Sequence, residues 1–190
     1  MRTRAVLTLI PLALAVSVTL CASDTHALGS GKKTPEEEAA EQVKKAEKKY
    51  NDGVDKMANA EKHLAKGDTT KARKDFEKAA RKYSEAIDLH PDFPEALNNL
   101  AYSLRLTGRY DEALIHYGRA IELRPDFVQA HEYRARAYLA MDMVREAKSE
   151  YEWLLEQGEA EEAEALKESI NRWVMAKADG RRVSVEKSGW

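Results

Sequence analysis

Along most of this chain apolar residues return every three or four positions, the mark of helices with one buried face. The clearest stretch runs from Pro94 to Phe127. Leu97, Leu100, Ala101 and Leu104 form the inward face of one helix, Gly108 supplies a turn, and Ala113, Tyr117, Ala120 and Ile121 line a second. Pro125 ends it, as a proline just past a helix does. Upstream, Tyr50, Val54, Met57, Ala60 and Leu64 predict a packed helix, and Gly67-Asp68 a turn with Asp68 or Thr69 as the next cap. Ala72, Phe76, Ala79, Tyr83, Ala86 and Ile87 continue the stripe. Downstream, a further helix pair spans Val128 to about Gly158, and a last amphipathic helix turns Ala163, Leu166, Ile170 and Trp173 inward.

These stripes share one period. Tyr83, Tyr117 and Tyr151 lie 34 residues apart, as do Ala79, Ala113 and Ala147, while His90-Pro91-Asp92-Phe93 and Arg124-Pro125-Asp126-Phe127 are near copies at the same offset. Phe76/Tyr110/Val144 and Ile87/Ile121/Leu155 follow the same frame. Such self-similarity marks an array of stacked supersecondary units. The first unit is elongated: Gly108 corresponds to Lys74, yet the turn sits at Gly67, so about two helical turns precede the frame. The third unit is degraded. Asp142 replaces the turn glycine, which the tolerance of Asp for left-handed backbone permits, and Leu154 stands where Ala86 and Ala120 stood. The expectation is an all-α solenoid of three helix–turn–helix units with a C-terminal capping helix, covering residues 50–176.

Thr34, Pro35 and Glu37 form a capping box with proline at the first helical position. Residues 28–49 read as a flexible leader followed by a solvated helical extension, since Val43 is the one large apolar residue between 36 and 49. Residues 177–190 read as a mobile tail.

With Pro94 as position 1, Leu97, Leu100, Ala101, Gly108, Tyr110, Ala113, Tyr117, Ala120 and Pro125 resemble the signature of the tetratricopeptide repeat (TPR). Leu97 stands where tryptophan is commonest. The resemblance covers about Met57 to Trp173. It implies a protein-interaction module whose first helices line a concave groove for a peptide or a partner's helix. Its groove positions fall on Glu95, Asn98, Tyr102, Arg105 and Leu106, then on Gln129, Glu132, Arg136, Leu139 and Ala140, with Asn99 where related domains bind a ligand's backbone. Two arginines, a tyrosine and amides suit a carboxylate with an apolar neighbour, although Glu132 can neutralise Arg136 one turn away. The lysine-rich clamp of related cytosolic domains is not reproduced.

The ends and the charge alter the setting. Arg2 and Arg4, the apolar run Ala5–Leu20 and the small residues up to Ala27 have the layout of a signal peptide over residues 1–27. The expectation is therefore an exported, periplasmic or secreted protein without a membrane span in its mature form. Cys21, the single cysteine, offers a lipid anchor as the alternative. Net charge is −2, which gives no polyanion-binding surface, so no nucleic-acid partner is expected. Residues 32–90 are mildly basic and 128–176 distinctly acidic.

His63, His90, His116 and His131 lack ligand spacing and are expected to be solvated or edge residues. No nucleophile, phosphate-loop or paired-cysteine motif occurs, so catalysis and cofactors are not expected. The predicted role is a cell-envelope scaffold or adaptor that binds a peptide or protein in its groove. The alternative is an assembly subunit working through its N-terminal helix and C-terminal tail.

Overall fold

A computed structural model describes residues 33–180. The signal-peptide, lipid-anchor and leader expectations therefore lie outside the described residues, as does the tail from 181 to 190. Seven helices follow one another in the described part: α1 (Pro35–Ala65), α2 (Thr69–Leu89), α3 (Pro94–Leu106), α4 (Tyr110–Leu123), α5 (Val128–Ala140), α6 (Val144–Gln157) and α7 (Ala160–Ala178). They pair as α1/α2, α3/α4 and α5/α6, each pair packing on the next, and α7 closes the stack against α5 and α6. No described helix is long and apolar enough to cross a membrane.

Local chemistry sets the ends. The Thr34 hydroxyl accepts from the Glu37 amide at 3.2 Å and the Glu37 carboxylate from the Thr34 amide at 2.9 Å, the reciprocal box expected of these residues. Asp68 caps α2 by accepting from the Lys71 amide at 3.0 Å. Gly67, Gly108 and Gly158 take positive φ at the turns, and Asp142 joins them at φ 63°.

The inward stripes form one core through the first two units, built on Ala79, Tyr83, Leu97, Leu100, Ala113 and Tyr117. The second cluster, at the C-terminal end, joins Leu139, Ala147, Leu154, Leu166 and Ile170. Alanines at the helix crossings are fully buried, which lets the axes approach while Tyr83 and Tyr117 fill the space between.

The first unit is longer on both arms. α1 and α2 have 31 and 21 residues, against 13 and 14 in α3 and α4. Counted from the turn glycine, Ala60 takes the place that Ala101 holds in the second unit, and Gly53 lies about two helical turns further back, against the Tyr83 ring. α1 is continuous from Pro35, and its packed face starts before Tyr50: Ala46 is fully buried and Lys49 pairs with Glu85 at 2.6 Å. α7 likewise runs past the expected start of the tail. Lys177 is helical and donates to Asp142 at 2.6 Å.

Asp142 thus has two tasks. It holds the left-handed turn between α5 and α6, and its carboxylate accepts from the Trp173 indole at 3.1 Å as well as from Lys177. Alanine here keeps the left-handed strain and loses both bonds, a cost of ~1–2 kcal/mol. Asp142→Gly loses the bonds but relieves the strain. Thermal melts should rank the parent highest, Asp142→Gly next and Asp142→Ala lowest; equal melting of the two variants would mean the backbone carries no strain.

Candidate interaction groove

One cavity of about 1610 Å³ opens on the face where α1, α3, α5 and α7 lie side by side. Its lining is uneven. The extra turns of the first unit form one wall, with Leu64 from α1 and Thr70, Arg73 and Phe76 from α2. Leu106, Thr107 and Gly108 lie beneath them at the tip of the second unit, and Glu168 and Arg172 of α7 contribute to the lining from the other end of the stack.

Between these lie Tyr102 and Arg105 from α3 and Glu132, Tyr133 and Arg136 from α5. The Tyr102 and Tyr133 rings pack 5.0 Å apart, and Phe76 meets Tyr102 edge-on at 6.3 Å. The Arg105 guanidinium sits 5.2 Å from the Tyr102 ring and 5.8 Å from that of Tyr133. Arg105 is only 6% exposed, and among the described residues no carboxylate forms an ion pair with it. Its Nε–H has no hydrogen-bond partner there either.

The tyrosines do not supply the missing charge. Burial raises the Tyr102, Tyr117 and Tyr133 hydroxyls above the usual phenol range, and the nearby Arg105 charge offsets only part of that. They stay neutral, and the cation is held chiefly by ring faces. Arg136 differs: it donates to Glu132 at 2.6 Å, the neutralisation expected from their spacing, but its buried Nε–H is likewise unpartnered.

Of the groove positions read from the frame, Tyr102, Arg105, Leu106, Glu132 and Arg136 line this cavity. The other six, Glu95, Asn98, Asn99, Gln129, Leu139 and Ala140, are not part of its lining. Glu95 is bonded to Arg124 at the far end of the second unit. Asn98 is buried, 2% exposed, and donates to Asn99 at 3.3 Å, while Asn99 donates to the Tyr50 hydroxyl at 3.2 Å. The long α1 covers this part of α3, so the two amides serve the helix contact. Gln129 is exposed away from the cavity. Leu139, 1% exposed, is a core residue beneath α7, where Leu166 and Ile170 join it.

Three contributors escaped the sequence reading. Tyr133 occupies the position of Asn99 in the next unit, and Arg172 and Glu168 come from a helix outside the frame. A site away from the groove escaped it as well. His131, expected at an edge, is 5% exposed and stacks on Trp153 at 3.5 Å. Its Nδ1 lies 2.7 Å from Glu150 and its Nε2 3.1 Å from the Pro125 carbonyl, while Arg134 donates to the other Glu150 oxygen at 2.6 Å. The signal was present: His131 falls 34 residues after Leu97, at a core position.

Residues 57–126 match the tetratricopeptide repeat family model. A protein of Methanocaldococcus jannaschii described as uncharacterised is 40% identical over 73 residues, which span 38% of this chain and 69% of that relative. The chain belongs to the tetratricopeptide repeat family. This TPR protein also resembles the solved first TPR of Spaghetti (RPAP3) bound to the HSP90 peptide SRMEEVD. The TM-score is 0.50 at 21% identity, over 66% of this chain and 93% of that one. At that identity the likeness is one of fold, and it agrees with the all-α solenoid of helix pairs described above.

Proposed function

We propose that this TPR protein is a scaffold or adaptor of the cell envelope that holds a peptide or protein partner in the cavity between its first hairpin and α7. The observation that carries the groove assignment is Arg105, a buried cation without a carboxylate at the floor of a cavity walled by Phe76, Tyr102 and Tyr133. A concavity with aromatic walls and polar groups set among them is the form binding sites take. The relation to a TPR solved with a peptide supports the class of ligand, and the signal-peptide layout of residues 1–27 supports the envelope setting.

Tyrosine and arginine at the centre of such a surface carry a disproportionate share of affinity. Tyr102→Ala and Arg105→Met should each weaken partner capture from an envelope extract by about tenfold or more, with helicity by circular dichroism unchanged. Undiminished capture by both variants would remove the groove from the mechanism. If deleting residues 28–49 abolished capture instead, the partner would dock on the N-terminal helix and the assembly role would hold.

A further inference from the structure

The groove reading can be taken to the chemistry of its occupant. We propose that the cavity receives a glutamate side chain of the partner segment, flanked by apolar residues, whose carboxylate bridges Arg105 and Arg136 and displaces Glu132 from Arg136. This rests on the groove being the docking surface.

Both arginines present a buried Nε–H with no acceptor among the described residues, and both belong to the cavity lining around the Tyr102–Tyr133 pair. A carboxylate at this spot supplies Arg105 with the charged partner it lacks, and charge-assisted pairs with arginine are the strong ones. The carboxylates of the lining are Glu61, Glu77, Glu132 and Glu168; Glu77 pairs with Arg73 and Glu132 with Arg136, and none of the four forms an ion pair with Arg105. The chain offers Arg105 the neutral Tyr117 hydroxyl beside it, so a carboxylate acceptor must come from the partner.

Depth decides how the carboxylate is carried. Arg105 lies at the cavity floor, 6% exposed, behind two tyrosine rings. A carboxylate on a two-methylene stem reaches it while the partner's backbone stays above the rings. A main-chain terminal carboxylate would require the backbone itself to descend. The apolar wall of Leu64, Phe76 and Leu106 then receives the neighbouring side chains.

Glu132 makes the site self-competing. Its carboxylate already holds Arg136 at 2.6 Å in a setting where both side chains are about one-eighth exposed, 12% and 13%. Ligand entry exchanges one carboxylate for another, so Glu132 lowers affinity and favours a glutamate that also satisfies Arg105.

The test uses the full chain labelled with ¹⁵N-arginine and an acetylated, amidated nonapeptide with a central Leu-Glu-Leu in an Ala/Ser background. Its Gln counterpart and a free-carboxylate peptide lacking glutamate serve as comparisons. The glutamate peptide should shift the Arg105 and Arg136 Nε–H resonances, the Gln peptide should bind at least tenfold more weakly, and Glu132→Gln should tighten the glutamate peptide about two- to fivefold, the effect of releasing one such pair. Equal binding of the Gln peptide, or no gain from Glu132→Gln, overturns the assignment while leaving a groove that still captures its partner through Tyr102. Preferential binding of the free-carboxylate peptide also overturns it and assigns the charge to a chain end. Undiminished partner capture by both Tyr102→Ala and Arg105→Met would instead remove the groove reading beneath it.

Discussion

Gly53→Ala should lower the melting temperature, although alanine is the better helix former. In an exposed helix the exchange favours alanine by about 1 kcal/mol. Here a Cβ would stand 2.7 Å from Tyr83 Cε1 and 2.8 Å from its Cδ1. The ring cannot retreat: Tyr83 is fully buried, packed against Tyr50 at 5.6 Å, with its hydroxyl 3.8 Å from the Met57 sulfur. Overpacking of this kind costs ~1–3 kcal/mol, more than the propensity gain. The net expectation is a loss of about 1–2 kcal/mol, or several degrees in Tm, and more for Gly53→Val.

Gly118 is the control. It lies in α4 with nothing within 4 Å of an added Cβ, so Gly118→Ala should raise Tm. A double variant with Tyr83→Leu should recover part of the Gly53→Ala loss if the clash is the cause. A Gly53→Ala protein that melts at or above the parent would show that the two helices part without penalty.

Glu150→Ala should be the most damaging single change in the C-terminal half. Glu150 is 6% exposed and joins His131 of α5, Arg134 of α5 and its own helix α6 in one buried polar group. Both His131 nitrogens face oxygens, Glu150 Oε2 at 2.7 Å and the Pro125 carbonyl at 3.1 Å. Removing the carboxylate takes the acceptor from the buried His131 Nδ1 and from the Arg134 Nε–H, a loss of ~1–3 kcal/mol. In urea the midpoint should fall while the slope with denaturant stays constant. The double replacement His131→Leu, Glu150→Leu should be much milder than Glu150→Ala, because Arg134 is 21% exposed and can turn to water. If the double variant were as unstable as the single one, packing around Trp153 rather than the charge arrangement would be what matters.

Much of this was legible because the repeat frame couples position to burial. A residue at a crossing must be small and one between crossings large, so Ala79, Ala113, Tyr83 and Tyr117 could be assigned from spacing, and the caps from Thr34, Asp68 and Asp142. The groove was legible only in part. A frame derived for a continuing array treats each first helix as having the same neighbours, and a short array is mostly ends. Leu139 is buried because α7 replaces a fourth unit, and Asn98 and Asn99 are covered because α1 is more than twice the length of α3. Tyr133 was missed for a related reason: its counterpart Asn99 faces α1, whereas Tyr133 faces the ring of Tyr102. His131 was misjudged from residue type against the plain counsel of its position.

The anchoring of α7 bears on how the cavity moves. Near its start this helix is held by Ala163, Leu166 and Ile170 in the second core cluster. Beyond Arg172 the ties to the rest of the array include the two bonds from Trp173 and Lys177 to Asp142, both at the surface. Val174 and Met175 there are 47% and 70% exposed. The first part is held by core packing, and the far end by the Trp173 ring against the same cluster and by two surface bonds that salt screens. Arg172 lines the cavity beside that far end, so weakening the Asp142 bonds with salt should loosen the cavity mouth. Trp173, half-exposed beside that carboxylate, is a natural fluorescent reporter of the motion.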